Sequence, residues 1–364
     1  MRRKVLDHSK SSKNFWSFVK TVKNAETSSI PQLIKDSQTF THLVEKILAE
    51  MFSKNFSLSE SDQPLPFTQR ASCTMPEVHI RTREVKRVLA NLDIKKSSGP
   101  DGIPARVLKL CSSSLAKPLR NLFFTSFKTG KFPSCWKIAN VQPVPKKGDP
   151  SNPGNYRPIA ICSNLAKVME SILNHKLMKY LEDNSLLNDR FRKNRSTGDL
   201  MALLTKTWNR SIHFFGERKV VALDLSKGFD TVWHQGLISK VKSYGVGNTF
   251  VVCISDFLCN RSIRVVIDEI NSNIHPVYSG VPQGSVISPT LFILFLNELL
   301  CLTTNPIYTD DSSLCYSYSS NAHPILNEVC VSRNYMDDTL NSDLVKIEEM
   351  GRLNRVEFII IILA

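Results

Sequence analysis

The chain has 364 residues, 42% of them hydrophobic and 22% charged, a composition that predicts a globular protein with one large or two modest domains. Its net charge of +14 favours a polyanionic partner such as nucleic acid. No apolar run reaches the ~20 residues of a membrane span, and the charged N-terminus has no apolar signal region. Nine cysteines without a Cys-x-x-Cys pair give no zinc pattern. We therefore expect an intracellular protein with reduced cysteines and no membrane association.

Residues 1–79 are basic, then polar, and predict an N-terminal extension with weak helical patches at 15–22 and 43–52. Regular structure is predicted to begin near Thr82 as an N-cap, and a second helix is predicted over 104–111. The apolar residues that follow Thr82 at helical spacing are Val85, Val88, Leu89 and Leu92.

A β-hairpin is predicted from strands at 136–145 and 156–161, because the first alternates and the loop between them is rich in turn residues. This hairpin presents Lys146, Lys147 and Arg157.

Ser163 is predicted to cap a long amphipathic helix, and a strand is predicted to end at Asp224. A helix is expected to end at Gly245. A β-rich stretch over 261–277 then precedes a glycine-rich turn at 279–284.

The next helix is predicted to have Ser288 as its N-cap and Pro289 at its first position. It is apolar nearly all round, which indicates a buried helix. Strands and helices do not alternate regularly along the chain. That order favours an α+β fold with helices packed on an antiparallel sheet.

Asp310 and Asp311 are adjacent between two strand-like runs, so the pattern predicts strand, tight turn, strand with both carboxylates at the tip. Like charges raise each other's pKa, and a pair of divalent cations removes that cost. Two metal ions ~3.5–4 Å apart are a common device for nucleotidyl transfer. An acidic turn without function remains the alternative, since aspartate favours turns.

A second Asp-Asp pair occurs in Tyr335-Met-Asp-Asp338. The residues before it do not form a strand pattern, and a helical pattern begins at Leu340. Asp337 and Asp338 would suit the first turn of that helix electrostatically, so we do not predict a site there.

The order of these segments resembles the reverse transcriptases of non-LTR retrotransposons, most closely those of jockey-like elements. The matching pieces are Lys96-Ser-Ser-Gly-Pro-Asp-Gly102, Pro143-Val-Pro-Lys-Lys-Gly148, Asn155-Tyr-Arg-Pro-Ile159, Phe191-Arg-Lys-Asn-Arg-Ser-Thr197, Ala222-Leu-Asp-Leu-Ser-Lys-Gly-Phe-Asp230, Gly280-Val-Pro-Gln-Gly-Ser285 and Tyr308-Thr-Asp-Asp311.

The resemblance implies a right-hand polymerase fold with an antiparallel palm sheet packed by helices. Residues 80–218 would be mainly fingers and 219–350 mainly palm, with 351–364 a truncated apolar tail. Residues 1–79 resemble the linker that follows the endonuclease of such elements. The expectation is therefore a fragment without endonuclease and thumb.

The resemblance also implies a catalytic site. Asp224, Asp310 and Asp311 would hold two Mg²⁺ ions, with Mn²⁺ as an alternative and the Leu225 carbonyl as a backbone ligand. The residues implied to bind the nucleotide are Lys146, Arg157, Phe229 and Gln283. The residues implied to contact nucleic acid are Arg192, Lys193 and Arg195.

The implied partners are an RNA template, a DNA primer and dNTPs, in the nucleus or, less favoured, the cytoplasm. The main alternative is a catalytically silent nucleic-acid-binding remnant of the same element. A metal-dependent nuclease ranks last, because no separate general base stands at a suitable spacing.

Overall fold

The computed structural model describes residues 30, 33–35, 38–40, 44–56, 69–146, 148–188, 218–225, 227–268, 270–297, 307–308, 312–317 and 326–363, with a few isolated positions between 198 and 213. The described α-helices are α1 (Val44–Asn55), α2 (Thr82–Ala90), α3 (Ala105–Leu110), α4 (Ser112–Thr129), α5 (Asn164–Asp183), α6 (His234–Ser243), α7 (Asn248–Leu258), α8 (Ser288–Leu296) and α9 (Leu326–Asn354). The described strands are β1 (Leu33–Lys35), β2 (Gln38–Phe40), β3 (Ile138–Pro145), β4 (Tyr156–Ile161), β5 (Arg218–Leu225), β6 (Arg261–Ile267), β7 (Ile270–Asn271), β8 (His275–Val277), β9 (Ile307–Tyr308), β10 (Ser312–Ser317) and β11 (Phe358–Leu363). This mixture of helices and strands confirms the predicted α+β class.

One four-stranded sheet has the order β11-β5-β10-β9, and each neighbouring pair in it is antiparallel. The predicted strand that ends near Asp224 is therefore confirmed as β5, an interior strand. The apolar residues of the tail form β11, whose Ile359 lies opposite Asp224. Because β5 is paired with a strand on each side, its backbone hydrogen-bonding groups are satisfied along both edges.

A second sheet has the order β4-β3-β6-β7, with β8 also paired to β6. The antiparallel pairing of β3 with β4 confirms the predicted hairpin. The parallel pairing of β3 with β6, which places Asn140 opposite Arg264, was not predicted. Parallel neighbours require a crossover connection, and local sequence patterns do not show which distant strand will return alongside.

The main hydrophobic core lies between α2, α4, α5, α6, α7 and α8. Phe123, Phe250 and Phe257 are almost fully buried in it. Edge-to-face contacts, such as the 5.2 Å centroid separation between Phe132 and Phe257, add specific geometry to this apolar packing. The core fixes α5 and α8, the two helices that adjoin the glycine-rich turn.

Part of residues 1–79 packs on the rest of the chain. Leu48 and Phe52 of α1 are fully buried and form a second apolar cluster with Val141 and Val265 of the second sheet. Further along, the Met75 N–H donates a 2.7 Å hydrogen bond to the Gly245 carbonyl. These contacts hold α1 and the residues around Met75 against the rest of the chain.

Two predicted N-caps are wrong by one residue. Helix α2 begins at Thr82, because the Glu84 carboxylate accepts a 2.8 Å hydrogen bond from the Arg81 N–H and makes Arg81 the N-cap. Helix α8 begins at Ser288 rather than after it, and Ser285 Oγ accepts from the Ser288 N–H at 3.3 Å.

Two other helix ends are as predicted. Ser163 caps α5 by accepting from the N–H groups of Leu165 and Ala166. Gly245 follows the end of α6 with a positive φ of 71°, which suits glycine.

Residues 335–338 lie inside α9, which supports the prediction that this Asp-Asp pair is not a strand-borne site. The explanation from the first helical turn is wrong, because α9 begins at Leu326 and these residues lie well inside it. In the part of the chain that the structure describes, no helix is long and apolar enough to cross a membrane.

Candidate active site

The candidate site is built around the glycine-rich turn before α8. Gly280 has φ of 83° and Gly284 has φ of 124°, conformations that other residues rarely adopt. A Cβ on Gly280 would lie 2.6 Å from the Asp230 carbonyl oxygen, and one on Gly284 would lie 2.3 Å from the Ala160 carbonyl oxygen. Both glycines are therefore needed, because the turn lies directly against β4 on one side and the segment after β5 on the other.

Gln283 lies between those two neighbours. Its backbone carbonyl accepts a 2.6 Å hydrogen bond from the Ala160 N–H of β4. Its side-chain Nε2 donates a 2.7 Å hydrogen bond to Asp230 Oδ1. The residue is half-buried.

Phe229 is attached to the same turn. Its carbonyl accepts a 2.7 Å hydrogen bond from the Val281 N–H, and its ring stacks on Phe292 of α8 with a centroid separation of 4.4 Å. The ring is half-buried. A half-exposed aromatic side chain held against a buried helix offers a firm apolar surface to whatever occupies the site.

The hairpin of β3 and β4 supplies the positive charges. Arg157 is exposed on β4, three residues before the Ala160 N–H that bonds to Gln283. Lys146 is exposed at the start of the loop, where its Nζ donates to the Gly154 carbonyl at 3.3 Å. Lys147 lies outside the described residues.

Two of the predicted metal ligands, Asp224 and Leu225, lie on a described strand. Asp224 and Leu225 end β5, and Leu223 lies opposite Ser312, the first residue of β10. Tyr308 of β9 lies opposite Ser313. Strands that flank the Asp-Asp pair are thus confirmed as antiparallel neighbours, and the end of β5 lies beside the start of β10.

Several predicted site residues cannot be compared with the structure. Asp310 and Asp311 lie outside the described residues, as does the side chain of Asp224. The three basic residues predicted to contact nucleic acid, Arg192, Lys193 and Arg195, also lie outside them. No cluster of three metal-ligating side chains occurs among the residues that the structure describes. The side chains of Asp224, Asp310 and Asp311 are not among those described.

Two buried carboxylates at the site were not anticipated from the sequence. Burial raises the pKa of the Asp230 carboxyl to about 6, and the hydrogen bond from Gln283 and the charges of Lys227 and Lys146 offset only part of that effect. Glu170 of α5 accepts from Ser285 Oγ at 2.5 Å and belongs to the same assembly.

The sequence contains only weak indications that these two residues belong to the site. Asp230 ends the quoted motif that begins at Ala222, and Glu170 is an acidic residue on the apolar face of α5.

The arrangement brings a carboxamide, an aromatic face and an arginine to connected segments beside the end of β5. These groups offer hydrogen bonding, an apolar platform and positive charge. This combination suits a ligand with a polar base, a sugar and phosphates.

Comparison with known proteins agrees with this chemistry. Residues 144–342 match the family described as reverse transcriptase (RNA-dependent DNA polymerase). The match covers more than half of the chain, so the chain belongs to the reverse transcriptase family.

The relatives identify the branch of that family. The chain is 29% identical over 233 residues to the RNA-directed DNA polymerase from mobile element jockey of Drosophila melanogaster, covering 62% of this chain and 25% of that protein. It is 30% identical over 261 residues to the probable RNA-directed DNA polymerase from transposon BS of the same organism, covering 67% and 28%. A polyprotein of the type-1 retrotransposable element R2 from Popillia japonica is 31% identical over 201 residues, covering 50% and 26%. The predicted likeness to non-LTR retrotransposon enzymes is confirmed, and the chain spans about a quarter of the length of these relatives.

Proposed function

We propose that this chain is the polymerase domain of a non-LTR retrotransposon reverse transcriptase. Its reaction would transfer a deoxynucleotide from a dNTP to the 3′-hydroxyl of a DNA primer paired with an RNA template. The observation that carries this proposal is the hydrogen-bonded junction of Phe229, Gln283 and β4 beside the strand that ends at Asp224 and Leu225.

Two Mg²⁺ ions, or Mn²⁺ in their place, would be held by Asp224, Asp310, Asp311 and the Leu225 carbonyl. The described register supports this set, because it places the end of β5 beside the start of β10, next to the Asp-Asp pair in sequence. Mg²⁺ prefers a few carboxylates plus substrate phosphates. Bound there, it would lower the pKa of the primer hydroxyl and neutralise the leaving pyrophosphate.

The remaining residues would orient the nucleotide. Arg157 and Lys146 would bind the triphosphate, arginine through paired hydrogen bonds and lysine as a point charge. Gln283 would contact the incoming nucleotide. Phe229 would lie under the sugar, where its ring would exclude a 2′-hydroxyl and select deoxynucleotides.

The template and primer would be bound by positive charge, with Arg192, Lys193 and Arg195 on the backbone phosphates. Under this proposal the fold is a right hand. Its fingers would be mainly residues 80–218 and its palm mainly residues 219–350, with residues 1–79 as an N-terminal extension and β11 of the tail 351–364 joining the palm sheet through its pairing with β5.

Primer extension by the purified chain tests the proposal, with an RNA template, a DNA primer, dNTPs and Mg²⁺. Asp310→Asn/Asp311→Asn and Asp224→Asn should abolish extension. The matched control is Asp337→Asn/Asp338→Asn, which neutralises the Asp-Asp pair in α9 and should extend like the unaltered chain.

Failure of the unaltered chain to extend a primer, together with salt-dependent RNA binding that Asp224→Asn leaves unchanged, would contradict the proposal. It would support a silent nucleic-acid-binding protein instead.

A further inference from the structure

The orientation of the Gln283 carboxamide is determined by one buried carboxylate. Asp230 is only 3% exposed, and its Oδ1 accepts from Gln283 Nε2 at 2.7 Å. An ionised carboxylate accepts hydrogen bonds and cannot donate them. Rotating the carboxamide by half a turn would bring Oε1 against that carboxylate and leave two acceptors in contact, so the observed orientation is strongly preferred.

The backbone around this hydrogen bond is held equally firmly. Ser279 Oγ donates to the Asp230 carbonyl at 3.1 Å, and the Gly280 N–H donates to the Val232 carbonyl at 2.8 Å. These bonds keep the two segments in register. These hydrogen bonds therefore set the distance between Asp230 and Gln283.

A second buried carboxylate holds the other end of the turn. Glu170 is 2% exposed and accepts from both Ser285 Oγ, at 2.5 Å, and the Val286 N–H, at 2.7 Å. Gln283 is thus carried on a turn that is anchored on each side. Its side chain is left with one internal polar contact among the described residues, the one to Asp230.

We propose that Asp230 is a positioning residue that orients the Gln283 carboxamide for nucleotide binding. With one amide hydrogen donated inward, Oε1 and the second amide hydrogen remain for the bound nucleoside triphosphate. The inference rests on the proposed function, which places the nucleotide at Gln283. A group already oriented before binding loses less entropy when the ligand arrives, so the expected effect is on nucleotide affinity.

The experiment compares four variants by thermal unfolding and by the dNTP dependence of primer extension on an RNA template. Asp230→Leu removes the acceptor, whereas Asp230→Asn keeps an acceptor oxygen. Gln283→Glu places two carboxylates together, and Asp230→Asn/Gln283→Glu restores a donor and an acceptor with their roles exchanged. The matched control is Ser243→Ala, which removes an equally buried hydroxyl whose hydrogen bond, to the Lys240 carbonyl at 2.7 Å, lies at the far end of α6 from the turn.

For Asp230→Leu we expect the KM for dNTP to rise about tenfold while kcat changes less than about threefold, since one hydrogen bond to a charged group is lost. Asp230→Asn and Ser243→Ala should keep the KM within about threefold of the unaltered chain. The double variant should unfold at a higher temperature than Gln283→Glu alone.

Two results would overturn the inference, and they are separate from failure of the proposed function. The first is a normal KM for Asp230→Leu in a preparation whose unaltered chain extends the primer. The second, which needs no activity, is a double variant no more heat-stable than Gln283→Glu. If the unaltered chain does not extend at all, the proposed function fails and the unfolding comparison decides the positioning.

Discussion

Gly284 lies directly against the carbonyl of Ala160, so close that a Cβ at position 284 would approach that oxygen to 2.3 Å. The contact joins the glycine-rich turn to β4, the strand that carries Arg157. The neighbouring Ala160 N–H bonds to the Gln283 carbonyl, so two successive contacts connect the segments. The turn can lie this close to the strand only because Gly284 has no side chain.

Replacing Gly284 by alanine should disrupt this junction. The φ of 124° is unfavourable for alanine, and the contact is with backbone, which cannot move aside as a flexible side chain can. We expect Gly284→Ala to lower the free energy of unfolding by at least about 3 kcal/mol. Urea denaturation measures this. The matched control is Gly102→Ala, which has φ of 65° and no neighbour within 4 Å, and should cost only about 1–2 kcal/mol. Equal losses for the two variants would contradict the steric explanation.

Ser163 should stabilise the start of α5. Its Oγ donates to Asp101 Oδ2 at 2.5 Å and accepts from the Leu165 N–H at 3.1 Å, so it links the Gly-Pro-Asp-Gly loop to the helix. Ser163→Ala removes both interactions and should cost about 1–2 kcal/mol of unfolding free energy, measured by urea denaturation. Ser113→Ala, at an exposed position in the first turn of α4, serves as the control and should be close to neutral. A neutral Ser163→Ala would show that the cap contributes no stability.

The buried carboxyl of Asp230 should make stability depend on pH in an unusual direction. Its pKa is about 6 in the folded chain against an ordinary 3.8, so between these values the folded chain keeps a proton that the unfolded chain has lost. The stabilisation is complete below about pH 4 and is lost as pH rises through 6, a change of about 3 kcal/mol. Asp230→Asn should lack this loss, as shown by unfolding free energies measured from pH 4 to pH 7.

Asp149 should affect the pH dependence of stability in the opposite direction to Asp230. Hydrogen bonds from the Ser151 hydroxyl and N–H lower the pKa of its exposed carboxyl. Asp149→Asn should therefore remove a small stabilisation that is present above pH 4 and lost as pH falls. For Asp230, the prediction would be contradicted if the unfolding free energies of the unaltered chain and of Asp230→Asn changed with pH in parallel.

Phe229 should set the preference for deoxynucleotides. Shortening it in Phe229→Ala removes the ring that would contact the sugar, so the ratio of kcat/KM for dNTP to that for rNTP should fall at least about tenfold. Single-nucleotide incorporation with each substrate measures the ratio. Phe292→Leu is the control, since it removes the stacking partner at 4.4 Å but keeps Phe229. Discrimination unchanged in Phe229→Ala would place the sugar elsewhere.

Features with a local cause could be predicted from the sequence. The β3–β4 hairpin follows from its turn residues, the cap of α5 from Ser163, and the end of α6 from Gly245. Strands β9 and β10 on either side of the Asp-Asp pair follow from the alternating pattern. In each case the residues that determine the structure lie within a few positions of it.

Features that depend on distant residues could not be predicted. The acceptor for Gln283 is Asp230, and the acceptor for Ser285 is Glu170, both far away in sequence. Whether such a carboxylate is buried depends on how helices pack around it. The start of α2 was misplaced by one residue for a local reason instead, because the Glu84 carboxylate accepts from the Arg81 N–H and makes Arg81 the N-cap.

The pairing of β11 with β5 has a consequence for the order in which the chain can fold. During synthesis, the strand that ends at Asp224 leaves the ribosome long before Ile359, its partner in the sheet. Until residues 358–363 follow, β5 presents an open edge to other polypeptides. Long-range pairings of this kind form slowly and expose a nascent chain to misassembly. Completion of this sheet is therefore a late event in synthesis, and one edge of β5 stays open to other polypeptides until β11 has formed.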